Sequence, residues 1–330
     1  MQKLLIVFLI SFVSAMILSP LIIFIMKRIK AKQTILCYVE QHKNKIGTPT
    51  MGGIIFLLSA TIVSLIFFDG SKELAIICLV VTLVYGGVGA LDDGIKILLK
   101  RNLGLKAYQK IISQALIAII VSLYTYKSWQ VGATIRLPIA KIYVDIGPWY
   151  IPLCFFIYIA TTNCVNLTDG LDGLAGSTTL IYLVGFIAIA MGIYYEKSDL
   201  GQTFYAQEVY NIVIFAAALV GGITAFLWFN SYKAKIFMGD TGSLALGGAC
   251  AVIPVMLKSP LIIVLSGIMF VISGISVILQ VLVFKTKKKR LFLMAPFHHH
   301  LEMKGINESK IVAYYSIITA IAGAVAIIVF

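Results

Sequence analysis

The amino-acid sequence predicts an all-α polytopic membrane protein with about ten transmembrane helices. Of its 330 residues, 60% are hydrophobic and 12% are charged, whereas roughly a quarter of the residues in a soluble domain are charged. Ten spans of about 20 residues each would use roughly 200 positions and leave no room for a large soluble domain. The apolar runs do not alternate with polar residues as the strands of an outer-membrane barrel do. We therefore expect residues 1–330 to form a single integral membrane domain.

Apolar runs separated by polar or glycine-containing loops place the ten spans along the chain. The predicted spans are residues 4–26, 51–68, 74–91, 111–126, 149–165, 174–194, 211–229, 244–257, 260–284 and 311–330. The first run continues to Met26, and it is interpreted as a retained span and not as a cleaved signal peptide. Span eight is short and contains Pro254. Without it, the basic run that begins at Lys285 would face the outer side, against the positive-inside rule.

The formal net charge of +13 is interpreted as the signature of a membrane protein and not of a nucleic-acid-binding surface. When alternate loops are assigned to opposite sides, one side carries 20 of the 27 Lys and Arg residues and all four His residues. Its loops are residues 27–50, 92–110, 166–173, 230–243 and 285–310. This asymmetry predicts that these loops are cytoplasmic, that the active site lies on the cytoplasmic face and that both termini are extracytoplasmic. We expect no nucleic-acid partner.

Two further patterns concern local structure. Residues 134–138 and 141–145 alternate enough to predict a short hairpin in the outer loop. The cysteines number five, an odd count, and four of them lie in or beside apolar runs. No disulfide framework is therefore expected.

Asp92 and Asp93 directly follow the apolar span that ends at Leu91. Two adjacent carboxylates repel each other beside the hydrocarbon, and a hard divalent cation that bridges them to a phosphate would relieve this repulsion. The alternative interpretation is a solvated helix end that binds nothing.

Segments rich in glycine and aspartate occupy two further loops on the same side. The segment 166–173 reads NLTDGLDG, and a helical turn would place Asp169 and Asp172 on one face. Residues 239–243 read GDTGS, which joins Asp240, a metal-type ligand, to hydroxyls and backbone amides suited to phosphate and Mg²⁺. A simple turn at the first segment and helix capping at the second are the structural alternatives.

His298, His299 and His300 form a contiguous triplet after the basic run. A triplet of this kind fits zinc binding, phosphate contact, proton handling or an ordinary polar loop, although contiguous residues do not easily face one metal. Residues 47–53, GTPTMGG, follow Lys45 and form a basic, anion-friendly helix start. Together on one membrane face, these groups predict a site that holds a metal-bound diphosphate for phosphoryl transfer.

The same motifs closely resemble those of the phospho-N-acetylmuramoyl-pentapeptide transferases, a family of the polyprenyl-phosphate N-acetyl-hexosamine-1-phosphate transferase superfamily. The resemblance runs nearly end to end, through GTPTMGG at 47–53, the Asp pair at 92–93, NLTDGLDGLA at 166–175, FNSYKAKIFMGDTGSLALG at 229–247 and MAPFHHHLEMKG at 294–305. It implies an enzyme of the bacterial cytoplasmic membrane that transfers phospho-MurNAc-pentapeptide from UDP-MurNAc-pentapeptide to undecaprenyl phosphate. The implied products are lipid I and UMP, and the implied cofactor is Mg²⁺.

The resemblance also implies roles for individual residues. Asp92 and Asp93 match the catalytic pair and are expected to contribute to the metal site, Asp240 matches the magnesium-binding aspartate, and His298 matches the first functional histidine of the triplet. Counting Thr50 and His299 from the motifs above, the expected substrate-binding residues are Lys45, Thr50, Lys110, Asn166, Asp169, Asp172, Asn230, Phe237 and His299.

The chain departs from the family pattern at two positions. Lys233 stands where the family usually has Pro, and Gly94 stands where it usually has an aromatic residue. Neither change removes a charge from the expected site.

The alternative within the same enzyme class is a sister transferase that uses UDP-GlcNAc, against which the His triplet argues. The alternative from another class is a transporter or flippase of an anionic solute, although the predicted span interiors carry almost no ionisable residue. The sequence leaves open a monomer or a homodimer, the third residue of the substrate peptide, and direct or two-step transfer.

Overall fold

The computed structural model describes residues 1–29, 31, 47–99 and 103–330. Nearly all of the regular structure in these ranges is helical. The helices are α1 (Gln2–Arg28), α2 (Gly53–Phe67), α3 (Glu73–Leu98), α4 (Ala107–Lys127), α5 (Tyr150–Thr168), α6 (Leu174–Asp199), α7 (Thr203–Asn230), α8 (Gly239–Met256), α9 (Ile262–Ser266), α10 (Ile268–Lys287), α11 (Phe297–Met303) and α12 (Glu308–Val329). Two short strands, β1 (Thr134–Arg136) and β2 (Tyr143–Asp145), lie between α4 and α5.

The structure confirms the predicted all-α membrane architecture. Within the described ranges, nine helices are long and apolar enough to cross a bilayer, among them the one that begins in a short 3₁₀ turn at Gly147 and continues through α5. The predicted span at 51–68 corresponds to α2, which has only 15 residues. A helix of this length reaches about 22 Å, less than the hydrocarbon thickness of about 30 Å.

Two helices extend further toward the expected site than the predicted spans do. Helix α3 continues to Leu98, so Asp92 and Asp93 lie within its last two turns and do not follow its end. Helix α8 begins at Gly239, which places Asp240 in its first turn. The apolar runs underestimate the lengths of both helices, because the polar residues at these helix ends are held in helical geometry by contacts with other helices.

The predicted ninth span is interrupted. The chain leaves helical geometry at Gly267, and the span divides into the five-residue α9 and the longer α10. Glycine weakens a helix interior because it gives up more conformational freedom than other residues. The predicted hairpin is confirmed, since β1 and β2 pair antiparallel with Ile135 opposite Val144.

Helix α8 lies at the centre of the bundle, where nearly every residue from Thr241 to Met256 is buried. Small residues permit this packing, because close helix contact in membranes requires short side chains. A Cβ at Gly89 of α3 would overlap the carbonyl group of Asp240, and one at Gly247 would lie 2.6 Å from the Thr162 Cα of α5. The glycines therefore fix the distance between the helices that carry the acidic motifs.

Candidate active site

Three aspartates from two helices meet at one end of the bundle. Asp92 and Asp93 come from the last turns of α3, and Asp240 comes from the first turn of α8. One carboxylate oxygen from each residue lies within 4.8 Å of the other two. The fold thus brings together the three residues that the sequence assigned to metal binding, although Asp92 and Asp240 are 148 positions apart in the chain.

Neighbouring groups fix the orientation of the Asp pair. The backbone N–H and the hydroxyl of Thr241 both donate to Asp93 Oδ2, at 2.9 and 2.8 Å. The backbone N–H of Leu105 donates to Asp92 Oδ1 at 2.8 Å. Each carboxylate is therefore held by groups outside its own helix, and both are almost fully buried.

Lys96 is a site residue that the sequence analysis missed. Its ammonium nitrogen lies 2.5 Å from Asp92 Oδ2, 3.5 Å from Asp93 Oδ1 and 2.6 Å from Asp240 Oδ2. The signal in the sequence is the spacing, because residues three and four positions apart are neighbours on a helix surface. That signal has meaning only if α3 continues past residue 91, which the apolar run does not indicate.

Lys110 and Asn166 complete the surroundings of Asp240. The Lys110 ammonium lies 3.2 Å from Asp240 Oδ2 and donates to Asn166 Oδ1 at 3.4 Å. The Asn166 amide donates to Asp240 Oδ1 at 2.6 Å and to the Ser243 hydroxyl at 2.7 Å. The structure therefore places both predicted residues beside the aspartate cluster.

The turn between α5 and α6 places Asp169 and Asp172 differently from the prediction. Both residues lie outside the helices, so the expected shared helical face is wrong. Partial burial, and then the charges of Asp240, Asp93 and Asp172, raise the pKa of Asp169 to about 8. Asp172 Oδ2 instead accepts a hydrogen bond from the Ala234 backbone at 3.1 Å, so this carboxylate holds the loop after α7.

The side-chain amide of Asn230 hydrogen-bonds to backbone groups through both its oxygen and its nitrogen. Its Oδ1 accepts from the Gly173 backbone at 3.1 Å, and its Nδ2 donates to the Ile236 carbonyl at 2.9 Å. The side chain is buried. Asn230 therefore ties the start of α6 to the loop that leads into α8.

Thr50 and Phe237 lie where the segment before α2 meets the segment before α8. The Phe237 backbone donates to the Pro49 carbonyl at 2.8 Å and accepts from Gly52 at 2.8 Å. A Cβ at Gly239 would lie 2.5 Å from Asp93 Oδ2 and 2.8 Å from Thr50 Oγ1, so the Thr50 hydroxyl lies beside the acidic cluster. Lys45 lies outside the described residues.

The three histidines have three different environments. His298 is fully buried, and neither ring nitrogen has a hydrogen-bond partner among the residues that the structure describes. Burial, and then the neighbouring His299, lower the pKa of His298 to about 3. His299 Nδ1 lies 2.9 Å from Glu302 Oε2, and His300 Nδ1 accepts from the Leu293 backbone at 3.2 Å. The His298 and His299 ring centres lie 4.3 Å apart, but among the described residues the triplet does not form a group of three ligand atoms that could share one metal ion.

His298 also contacts the aspartate-rich turn. A Cβ at Gly170 would overlap His298 Nε2, so only glycine at this position leaves room for the ring. The glycine that follows Asp169 therefore brings the His triplet of α11 and the turn between α5 and α6 into one site.

Comparison with known proteins supplies the family. Residues 75–258 match the Glycosyl transferase family 4. The phospho-N-acetylmuramoyl-pentapeptide-transferase of Clostridium novyi (strain NT) is 40% identical over 95% of this chain and 92% of its own length. The enzyme of the same name from Clostridium perfringens (strain SM101 / Type A) is 43% identical over 97% and 94%. The chain belongs to the phospho-N-acetylmuramoyl-pentapeptide transferase family.

One departure from the usual transferase pattern has a structural consequence. Lys233, at the position where these transferases usually have Pro, adopts a positive φ of 64°. Proline is locked near −65° and cannot adopt this conformation. The loop after α7 therefore follows a path at this residue that the usual transferase sequence could not. At Gly94, a Cβ would meet no atom within 4 Å among the described residues.

The donor set at the transferase's aspartate cluster fits magnesium. Mg²⁺ prefers oxygen ligands and is typically held by one or two carboxylates, with water and phosphate oxygens completing the shell. Among the described residues, only Asp92, Asp93 and Asp240 form a group of three or more ligand-type side chains that could hold one ion. No sulfur or imidazole ligand belongs to this group, which distinguishes it from a zinc site.

Proposed function

We propose that the chain transfers phospho-MurNAc-pentapeptide from UDP-MurNAc-pentapeptide to undecaprenyl phosphate and releases lipid I and UMP. The observation that carries this proposal is the cluster of Asp92, Asp93 and Asp240, bridged by Lys96 at one end of a membrane-spanning bundle. Phosphoryl transfer depends mainly on positioning and on neutralising charge. A rigid set of carboxylates and ammonium groups at the membrane boundary provides both for a diphosphate and a lipid phosphate.

Asp240 is the proposed principal magnesium ligand, with Asp92 or Asp93 contributing a second oxygen. When bound, the ion would neutralise negative charge on the diphosphate and on the departing UMP. The hydrogen bond from Asn166 and the ion pair with Lys110 hold the Asp240 carboxylate in one orientation. These two residues therefore act as positioning groups for the metal ligand.

Lys96 and Lys110 have a second role in this proposal, as cations that face the phosphates. Lys96 lies among all three carboxylates, and its side chain is 30% exposed. An ammonium group in this position offsets carboxylate repulsion before a substrate arrives and can contact a phosphate oxygen afterwards. The site is thereby kept close to electrical balance in both states.

The chemistry we propose is direct attack of the lipid phosphate on the β-phosphorus of the UDP-sugar. A phosphomonoester has a second pKa of about 6, so near neutral pH the acceptor is already largely ionised. Asp92 is the proposed acceptor of any remaining proton, because the acidic pair lies in the last two turns of α3, toward the expected lipid headgroup. The competing scheme makes Asp92 or Asp93 a covalent phosphoryl acceptor.

The aspartate turn and the His triplet are the proposed contact region for the sugar nucleotide. His298 is buried against Gly170 with both ring nitrogens lacking hydrogen-bond partners among described residues. A neutral imidazole offers one donor and one acceptor, so a polar group of the substrate would satisfy it. His299, Asp169 and Phe237 are the proposed neighbours of the same ligand. Asp172 and Asn230 are proposed to support this contact region indirectly, by holding the loop between α7 and α8 in place.

We place the enzyme in the bacterial cytoplasmic membrane, as a single domain with its site on the cytoplasmic face and both termini outside. The 20-to-7 distribution of basic residues supports this orientation. Thiol labelling of a cysteine introduced at the exposed Lys289, in the loop 285–310 assigned to the cytoplasmic side, tests it. Reaction with an impermeant reagent in intact cells would contradict the orientation, whereas labelling only after permeabilisation supports it.

The test of function is a reconstituted reaction. Purified protein, undecaprenyl phosphate and Mg²⁺ are combined with UDP-MurNAc-pentapeptide or with UDP-GlcNAc, and UMP release and the lipid product are measured. We expect UMP and lipid I only from the first donor. Turnover of UDP-GlcNAc alone would favour the sister transferase. Absence of UMP with either donor, accompanied by solute movement across proteoliposomes, would favour the transporter class.

A further inference from the structure

A cavity bordered by two lysines lies at the end of the bundle opposite the aspartate cluster. Helix α7 has 28 residues, so its two ends are about 40 Å apart. Asn230 at one end contacts the site described above, and Thr203 at the other end lines the cavity. The cavity has a volume of about 480 Å³. Its lining includes Trp129, Lys197, Thr203, Phe204, Tyr205 and Lys258.

Two lysines give this cavity a positive charge. Lys258 is half-buried with a positive φ of 57°, and its ammonium lies 5.5 Å from the centre of the Tyr205 ring. Within the described ranges, no carboxylate lies within ion-pair distance of Lys258. Burial, and then the nearby Lys197, lower its pKa. An unpaired ammonium held beside a second one is stabilised by an anion.

No acidic residue is among the described residues that line the cavity, and two carboxylates beside the lining already have partners. Glu196 is shared, since its oxygens lie 3.2 Å from the Lys197 ammonium and 3.2 Å from Arg136 Nη1. Glu73 accepts hydrogen bonds from the Tyr124 hydroxyl and from Gln130 Nε2. The Glu196 carboxylate is thus shared by Lys197 and Arg136, and Lys258 adds a third positive charge to the same region.

The start of α7 adds hydrogen-bond donors. The first backbone N–H groups of a helix have no partner within the helix, and they favour anions. Gln202 occupies the capping position without a side-chain hydrogen bond to these groups. Because Thr203, Phe204 and Tyr205 line the cavity, this first turn borders the same space as the two lysines.

Aromatic residues indicate that the cavity opens at the membrane boundary. Trp129 and Phe204 are both exposed, and their ring centres are 5.2 Å apart. Tryptophan and other amphipathic aromatic residues concentrate at the level of lipid headgroups. The cavity is also far larger than one phosphate ion, so a phosphate would occupy only part of it.

We infer that this cavity binds the phosphate-bearing headgroup of an anionic lipid from the membrane leaflet on that face. The ammonium groups of Lys197 and Lys258 and the first turn of α7 would hold the phosphate. Trp129 and Phe204 would contact the glycerol and the start of the acyl chains. This site is separate from the aspartate cluster and does not depend on the reaction proposed there.

The test measures binding of a short-chain lipid to the full-length protein in detergent. Dihexanoyl phosphatidylglycerol is titrated by calorimetry against wild type, the double variant Lys197→Met/Lys258→Met and the control Lys127→Met, which alters an exposed lysine on the same face outside the cavity. We expect saturable 1:1 binding that is at least about tenfold weaker in the double variant, or about 1.4 kcal/mol. The control and Lys258→Arg should bind like wild type.

Inorganic phosphate and dihexanoyl phosphatidylcholine serve as comparison ligands. Inorganic phosphate should bind at least about tenfold more weakly than the anionic lipid, because it lacks the aromatic contacts. Equal binding of inorganic phosphate, equal binding of phosphatidylcholine, or undiminished lipid binding by the double variant would each contradict the inference. UMP release by the double variant, measured at the opposite end of the molecule, shows that the variant is folded.

Discussion

The Lys96 ammonium lies 2.6 Å from Asp240 Oδ2, so a side chain of α3 reaches the first turn of α8. The same nitrogen contacts Asp92 and Asp93 on its own helix. Three carboxylates and one ammonium thus form a charged cluster between two buried helices. The cluster both closes the helix contact and supplies the ligands proposed for the metal, which couples stability to cation binding.

Replacing Lys96 by Met should therefore make stability depend on magnesium. The variant leaves three carboxylates close together without their shared cation, and we expect a loss of about 1–3 kcal/mol. This is less than the roughly 3–5 kcal/mol for a fully buried pair, because Lys96 is 30% exposed. Thermal unfolding in detergent should show a lower Tm in EDTA that Mg²⁺ partly restores. Lys106→Met, at an exposed position near the site, is the control and should match wild type. A Lys96→Met protein with wild-type Tm in EDTA would contradict the coupling.

Acid should destabilise the protein through His298. Its pKa is about 3 in the folded chain, against about 6.5 when unfolded. Below pH 6.5 the unfolded chain takes up a proton that the folded chain refuses, so the stabilisation present at neutral pH is lost as pH falls from 6.5 toward 3. When the pH is lowered from 7.5 to 5, the Tm of wild type should therefore fall relative to the Tm of His298→Gln. His300→Gln, at a more exposed ring, should show a smaller shift. A pH-independent difference for His298→Gln would show that the ring is not kept neutral.

The stereochemistry at phosphorus distinguishes the two chemical schemes. One displacement inverts the configuration of the transferred phosphorus, whereas two displacements through an aspartyl intermediate retain it. With a chirally labelled β-phosphorus in the UDP-sugar, we expect net inversion in the lipid product. Net retention would identify Asp92 or Asp93 as a nucleophile and would replace the direct scheme.

The sequence predicted the helical membrane architecture because apolar runs of span length leave few alternatives. It also predicted that Asp92, Asp93 and Asp240 lie together, since these residues combine a high desolvation cost with metal-type ligands, and the structure brings their carboxylates within 4.8 Å of one another. The boundaries were less predictable. Helix α3 continues to Leu98 because its polar end is held by α8, a tertiary contact that no local pattern reveals. Lys96 was missed for this reason.

The roles of the polar residues in the turns were also hidden from the sequence. Asn230 and Asp172 belong to motifs expected to contact substrate, yet their side chains bond to backbone groups of neighbouring loops. The residue type and the spacing of the motif are the same whether a side chain contacts a ligand or hydrogen-bonds to the backbone of a neighbouring loop. Only the fold shows that Asn230 Nδ2 faces the Ile236 carbonyl while Asn166 Nδ2 faces Asp240.

The most direct test of the central claim is UMP release as a function of Mg²⁺ for wild type and Asp240→Asn, together with Mn²⁺ binding followed by electron paramagnetic resonance. The amide keeps the shape of the side chain but removes the charge that a hard cation requires. We expect the variant to fold and its turnover to fall by about two orders of magnitude or more, which corresponds to a loss of at least about 2.7 kcal/mol of transition-state stabilisation. We also expect that the variant no longer binds Mn²⁺ at the wild-type affinity. Near-normal turnover at limiting Mg²⁺, with unchanged Mn²⁺ binding, would contradict the account.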